Sequence, residues 1–316
     1  MQAMVRSGYG APEEVMALQA VPRPPIKEDE VLINVKASST NTADWLFLTG
    51  DPLFARLLAG PIRPRHEILG KDVAGVIEAV GSKVIDFSPG DEIYGEIEFG
   101  AWAEYAATKT DVIARKPTNL TFEQAAAVPL AGITALQGLR DRGRLQAGDR
   151  VLINGASGGN GTFAVQIAKA LGAEVTGVAS TANLELVRSL GADHVIDYTT
   201  TDVTATDDRY DVIFDVAGSH PVAAMLKLLA DGGRYLPVGG PIGRLLRAAL
   251  SSMLPGSPIT VLSATPNRAD LETLTGFIES GALAPVIDHR YGLRDLPQAM
   301  RLQGAGHAQG KRVIAM

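Results

Sequence analysis

Cysteine is absent from all 316 residues. Its absence excludes disulfides, thiolate nucleophiles and every cysteine-ligated metal centre. Aromatic residues make up only 5% of the chain, and no apolar run approaches the ~18 residues that a membrane-crossing helix needs. There is also no long run of one charge. The 29 Lys and Arg against 35 Asp and Glu leave a formal −6, spread along the chain, so neither nucleic acid nor an anionic membrane is the expected partner. The N-terminus passes quickly into polar and charged residues, and a cytoplasmic enzyme is the default expectation. What is present, 46% hydrophobic and 20% charged residues, describes a soluble globular protein of about two domains.

Glycine is plentiful, and one stretch of it carries the most information. Val151 to Ile153 form a short apolar strand that runs into Gly155-Ala156-Ser157-Gly158-Gly159-Asn160-Gly161. A helix opens near Asn160, read from Phe163, Ile167, Ala170 and Leu171 at helical spacing, and Gly172 closes it. Asn160 is expected to cap that helix locally. Such a junction suits a pyrophosphate: the backbone can come close to the anion, and the unpaired N–H groups of the helix end favour it. The next strand follows at once, as a βαβ unit requires. The alternative is an ordinary tight strand–helix turn.

The rest of the chain divides by period. Glu30–Ala37, Ala74–Val80 and Trp102–Ala106 read as short strands punctuated by Gly81, Pro89-Gly90, Gly95 and Gly100, which suits a small barrel or sandwich. From Thr121, an N-cap, the pattern becomes helical, with a second helix over 131–142. Strands at Val151–Ile153, Val175–Val178, His194–Ile196, Val212–Asp215 and Arg234–Val238 then alternate with helices near 162–171, 184–190, 221–229 and 269–280. That alternation predicts a parallel sheet covered on both faces. The tail, with strands at 285–291 and 312–315 around a helix near 296–302, fits as an addition to the first domain.

The glycine stretch, extended through Gln166 and Lys169, closely resembles the quinone oxidoreductase signature of the medium-chain dehydrogenase/reductase superfamily. Asn41-Thr42-Ala43-Asp44 is similar to that family's Asn-Pro-x-Asp turn, with threonine replacing proline. Gly70 to Ile77, Gly90-Asp91-Glu92-Ile93, Pro129 through Ala135, Leu190 to Tyr198, and Gly306 to Lys311 also agree in order and spacing. The resemblance implies an α/β chain: a Rossmann doubly wound parallel sheet, residues 121–284, joined to a β-rich GroES-like catalytic domain, residues 1–120 and 285–316, with nicotinamide in the cleft between them. It implies hydride transfer from NADPH to a quinone or α,β-unsaturated carbonyl, in a homodimer acting on small molecules.

The same superfamily has a zinc branch. Alignment through Gly70 places that branch's His-Glu position at Lys71-Asp72, and leaves His66-Glu67 as a loop pair on an arginine-rich segment. With no cysteine, the expected metal is none. The second strand ends in Ser180-Thr181-Ala182-Asn183 without an acid, which favours NADPH over NADH. Relatives often carry a cation at the position of Ala182, and here the nearest in sequence is Arg188. Ser180 and Thr181 are read either as phosphate contacts or as helix-capping residues.

By family position the cofactor contacts are Asn41, Thr134, Ala156, Ser157, Gly158, Gly159, Asn160, Gly161, Ser180, Thr181, Tyr198, Val216, Ala217, Val238, Gly239, Gly240, Ser263 and Ala264. Asn41 reads equally as a turn-forming residue, and Thr134 as a buried threonine bonding its own helix. Trp45, Leu48 and Phe54 are the candidate wall of an apolar substrate pocket, beside the 53–59 loop, while Leu46 and Phe47 read as core. No residue stands out as a proton donor, and the catalytic assignment is unknown. Residues 241–256, apolar with arginines, place Leu245, Ala248, Ala249 and Met253 on one packed face, covering either the cleft or a subunit contact. Two alternatives stay open: an enoyl-thioester or other carbonyl reductase, and a nucleotide-binding redox sensor with little turnover.

Overall fold

The computed structural model describes residues 1–316 except Pro52, Phe54, Ala55, Leu58, Ala59 and His307. The chain forms two compact units: residues 1–130, 266–279 and 285–316, and residues 131–265 with 280–284. Segments 121–130 and 266–279 thus stand with the first unit, whereas the alternating pattern had grouped them with the parallel sheet. The reason is visible at helix Arg268–Glu279, where buried Tyr94 donates its phenol proton to the Leu271 carbonyl at 2.6 Å and Arg268 bonds the Thr110 carbonyl.

The first unit is organised by one long strand, β3 (Glu30–Ser39), whose alternating burial marks it as the centre of a curved sheet. It pairs antiparallel with β4 (Asp72–Val80) over 31–38 and with β6 (Tyr105–Lys109) over 30–34. Register shifts at Leu32/Ile33 and Val35/Ala37 bend the pair, as bulges do in closing barrels. The sheet continues through β5 (Glu92–Glu96) to β7 (Ile113–Arg115) on one side. On the other side lie β14 (Lys311–Ala315), antiparallel to β3, and β13 (Ile287–Gly292), parallel to β14. The tail therefore does complete the first unit. Strands β1 (Gln2–Arg6) and β2 (Met16–Ala20) form a separate antiparallel pair. The expected strand at 102–106 begins instead at Tyr105; Trp102 is a core residue, 1% exposed, packed against Gly70.

The second unit is a five-stranded, wholly parallel sheet in the order β10-β9-β8-β11-β12. Its strands are β8 (Arg150–Asn154), β9 (Glu174–Ala179), β10 (His194–Asp197), β11 (Tyr210–Asp215) and β12 (Leu229–Pro237). This is the expected α/β fold, with Val151, Leu152 and Ile153 of the first strand fully buried. The order reverses between β8 and β11, so the loops after those two strands open onto the switch point where such sheets bind ligands. Among the described residues no helix is long and apolar enough to cross a membrane.

Candidate dinucleotide site

Backbone constraint builds the loop after β8. Gly155 has φ +89°, a conformation that L side chains rarely adopt. A Cβ on Gly161 would stand 2.1 Å from the Gly155 carbonyl oxygen, so only glycine lets the helix pack this tightly on the turn. Gly158 is the opposite case: a Cβ there would meet nothing nearer than 3.7 Å. Space thus opens directly above the loop at the start of helix Gly159–Ala170, whose first turn holds no acid. The first helical bond runs from Thr162 N–H to the Gly158 carbonyl, which leaves the amides of Gly159, Asn160 and Gly161 without a helical acceptor. These residues fit a pyrophosphate group.

Asn160 does not cap this helix. Gly158 occupies the N-cap position, and Asn160 lies inside the first turn, because the close Gly155–Gly161 approach moves the helix start forward. Gln166 and Lys169 are structural. The Gln166 amide exchanges two hydrogen bonds with the backbone of Ala284, and Lys169 joins the Ala173 carbonyl to Asp193.

The loop after β9 lies beside the glycine loop, since Asn183 donates to the Ser157 hydroxyl at 3.2 Å. Ser180 takes an N-cap position before the short 181–183 turn but caps nothing with its side chain. Thr181 donates to Asp197 Oδ2 at 2.5 Å. Tyr198, half exposed, is held next to Ser180 by its N–H to the Ala179 carbonyl. Arg188 is tied to Glu185 of its own helix. Asp197 was not singled out in sequence, although it stands inside the Leu190–Tyr198 run, immediately before Tyr198.

The loops after β11 and β12 are clasped together. Val216 and Ala217 both donate their amides to the Asn154 carbonyl, while Val238 and Gly239 donate theirs to that of Asp215. A Cβ on Gly239 would fall 2.1 Å from the Val216 carbonyl, and one on Gly218 would fall 2.6 Å from Gly240 Cα. Beneath them the wholly buried Asp215 carboxylate accepts from Asn154 Nδ2 at 2.8 Å, Gly218 N at 2.9 Å and Tyr235 Oη at 2.7 Å, and pairs with Arg244 Nη2. Arg244 reaches on to the carbonyls of His220 and Gly239. Burial and the neighbouring carboxylate together raise the Tyr235 phenol far above its usual value. No periodic pattern links Asn154, Asp215, Tyr235 and Arg244, so sequence reasoning had no signal for the cluster.

Arg244 belongs to helix Ile242–Ser252, in which Ala248 alone is buried. Met253 is 81% exposed, so it does not share a packed face with Ala248 as its spacing suggested; Leu246, Leu250 and Leu254 are exposed as well. Ser263 and Ala264 lie in irregular chain beyond the Tyr235–Ile259 bridge, Ser263 exposed. Thr134, on helix Pro129–Leu136, is 8% exposed, and its hydroxyl makes no hydrogen bond among the described residues, so it does not bond back to its helix.

In the first unit Asn41 caps helix Thr42–Thr49, with the amide fully used inside the protein. Its Nδ2 donates to Asp44 Oδ2 at 3.2 Å and to Asp72 Oδ2 at 3.0 Å, and its Oδ1 accepts from Lys311 Nζ. Lys311 also pairs with Asp72 at 3.1 Å, and Asp72 further accepts from the Ser39 hydroxyl and the Leu130 amide. Asp44 Oδ1 is buried with no partner among the described residues. Burial first, and then the Asp72 charge, push the Asp44 carboxyl up to about 7. Glu96, paired with Lys71 at 3.3 Å, is likewise pushed up to about 7 by burial.

The expected substrate wall is not formed by Leu48, which is fully buried among Met4, Leu69, Trp102, Leu296 and Met300. Trp45 packs on the same cluster and over Gly304. Both positions fall on the helix face that the core takes up. Phe47, as expected, also packs on that cluster. Phe54 lies outside the described residues. His66 stacks on Phe99, with centroids 4.6 Å apart, and no group of three or more His, Cys, Asp or Glu among the described residues is arranged to hold a metal.

Two family models match the chain: the alcohol dehydrogenase GroES-like domain over residues 27–118, and the zinc-binding dehydrogenase family over 190–314. The chain is 35% identical over 331 residues to an NADPH-dependent alkenal/one oxidoreductase of Arabidopsis thaliana, a match covering 99% of this chain and 79% of that one. It is 30% identical to a chloroplast envelope quinone oxidoreductase homolog of the same plant, covering 99% and 98%. The solved quinone oxidoreductase from Coxiella burnetii superposes with a TM-score of 0.90 at 29% identity, covering 100% and 99%.

Proposed function

The chain belongs to the medium-chain dehydrogenase/reductase superfamily, and from that premise we propose a zinc-independent oxidoreductase that uses NADPH to reduce a quinone or an α,β-unsaturated carbonyl. The observation that carries this reading is the loop after β8, where Gly155 and Gly161 are sterically obligatory and Gly158 faces open space at a helix N-terminus. When bound there, the nicotinamide supplies the hydride. The chain's own residues hold and orient it: the amides of 159–161 take the pyrophosphate, and Ser157, Ser180, Thr181 and Tyr198 surround the adenosine end. The loops at 216–217 and 238–240, with Thr134, Ser263 and Ala264, receive the nicotinamide half. Asn41, its amide spent internally, acts by fixing the helix it caps. No side chain is assigned as proton donor; solvent or the ribose 2′-hydroxyl fills that role.

The cysteine-free sequence and the Lys71-Asp72 pair at the zinc branch's His-Glu position support the metal-independent part of the reading. The exposed leucines of helix Ile242–Ser252 are consistent with a homodimer, and cytoplasm is the compartment we assign. Purified protein should oxidise NADPH in the presence of quinones or enals, with no stoichiometric metal by elemental analysis. Tight dinucleotide binding without turnover on any acceptor would make the protein a sensor instead. Stoichiometric zinc with secondary-alcohol oxidation would overturn the proposal.

A further inference from the structure

Asp197 ends β10 directly opposite Ala179, the last residue of β9, so its carboxylate stands at the mouth of the loop that the adenosine ribose would meet. That carboxylate is well supplied with donors. Thr181 Oγ1 lies 2.5 Å from one oxygen, and Thr199 Oγ1 and N lie 2.7 and 2.9 Å from the other. The hydrogen bonds from Thr181 and then Thr199 hold its carboxyl below the ordinary carboxylate range, so it is ionised at neutral pH.

A ribose 2′-phosphate is rich in acceptors and needs donors or cations. A threonine hydroxyl has one proton, and Thr181 gives it to Asp197. Position 182 is alanine, and the next cation along the chain, Arg188, is paired with Glu185. In that loop the side-chain donors left are the Ser180 hydroxyl and the second amide proton of Asn183, whose first goes to Ser157. A diol, by contrast, can donate its own protons to a carboxylate.

Building on the dinucleotide reading, we propose that Asp197 sets the cofactor preference of this chain: it takes the Thr181 proton and holds a negative charge beside the 2′ position. NADPH and NADH therefore bind with comparable affinity, and removing that charge turns the protein toward NADPH.

Direct binding tests this without turnover. Dissociation constants of NADPH and NADH for the purified full-length chain, from nicotinamide fluorescence or calorimetry, should agree within about fivefold. Asp197→Asn should tighten NADPH by about fivefold or more and move NADH by less than about twofold, the scale of one unit charge removed a few ångströms away in water. The proposal fails if the wild type prefers NADPH by more than about fiftyfold, or if Asp197→Asn weakens or leaves unchanged both cofactors. Failure of the wild type to bind either dinucleotide would sink the dinucleotide reading itself, and this proposal with it.

Discussion

Asp72 in the first unit and Asp215 in the second are both completely buried carboxylates at a strand terminus, each answered by a cation from far along the chain, Lys311 and Arg244. Their surroundings differ. Asp215 meets donors from a side-chain amide, a backbone amide, a phenol and a guanidinium, with no second acid in the cluster. Asp72 shares its lysine with a neighbourhood that also contains Asp44, whose buried Oδ1 has no partner among the described residues. The second unit has therefore built a closed joint that fixes two ligand-facing loops. The first has built a centre with one carboxyl more than its cations and donors can answer, and the raised Asp44 carboxyl is where that surplus shows.

Breaking each pair separates the two designs. Lys311→Met should be the most damaging change, costing about 3–5 kcal/mol at pH 8 in denaturant unfolding because it removes the cation from a buried ion pair with Asp72. The loss should shrink at pH 5, where Asp44, raised to about 7, takes up a proton; a pH-independent loss would contradict the surplus-acid account. Arg244→Met should cost less, about 2–3 kcal/mol, since three donors remain on Asp215, and it should weaken NADPH binding more than it lowers the turnover rate.

Asp44→Asn acts in the opposite direction. The Asp44 carboxyl is raised to about 7 in the folded chain, whereas a free Asp titrates near 3.9. The folded state therefore binds more protons between those values, and stability falls as pH rises from about 4 to about 7. Asparagine removes that slope, so the variant should gain about 1–3 kcal/mol over the wild type at pH 8 and little at pH 4, read from unfolding midpoints. Smallest of all, Tyr235→Phe removes one neutral donor from Asp215 and should cost about 1 kcal/mol. A much larger loss would mean that the phenol, rather than the guanidinium, holds the joint.

How much of this was readable from the chain depended on whether the constraint was local. Gly155, Gly158 and Gly161 sit within one turn, and their spacing carries the geometry that the structure shows. The Thr121 N-cap was visible for the same reason: the capping box it forms with Gln124 spans three residues. The doubly wound sheet followed from alternation of period alone. Helix faces were harder. Leu48 and Met253 both sit at positions their spacing could equally bury or expose, and what decides is the partner that packs against the helix. The ion pairs were illegible, because 239 residues separate Asp72 from Lys311 and 29 separate Asp215 from Arg244, with no period to connect them. Asp197 carried no such signal: a ribose-binding acid is expected at the end of the second strand, and this carboxylate comes from the end of the third.

Strand β14 lies against β3, the centre of the first sheet, and its first residue is Lys311. During synthesis, then, residues 1–130 leave the ribosome long before the strand and the cation that complete them. At 5–20 residues per second, the remaining chain takes roughly 10–40 s to follow. In that interval the edge of β3 that β14 will cover stands open, and Asp72 has no lysine. The second unit, assembled almost wholly from one continuous stretch, is free to finish first.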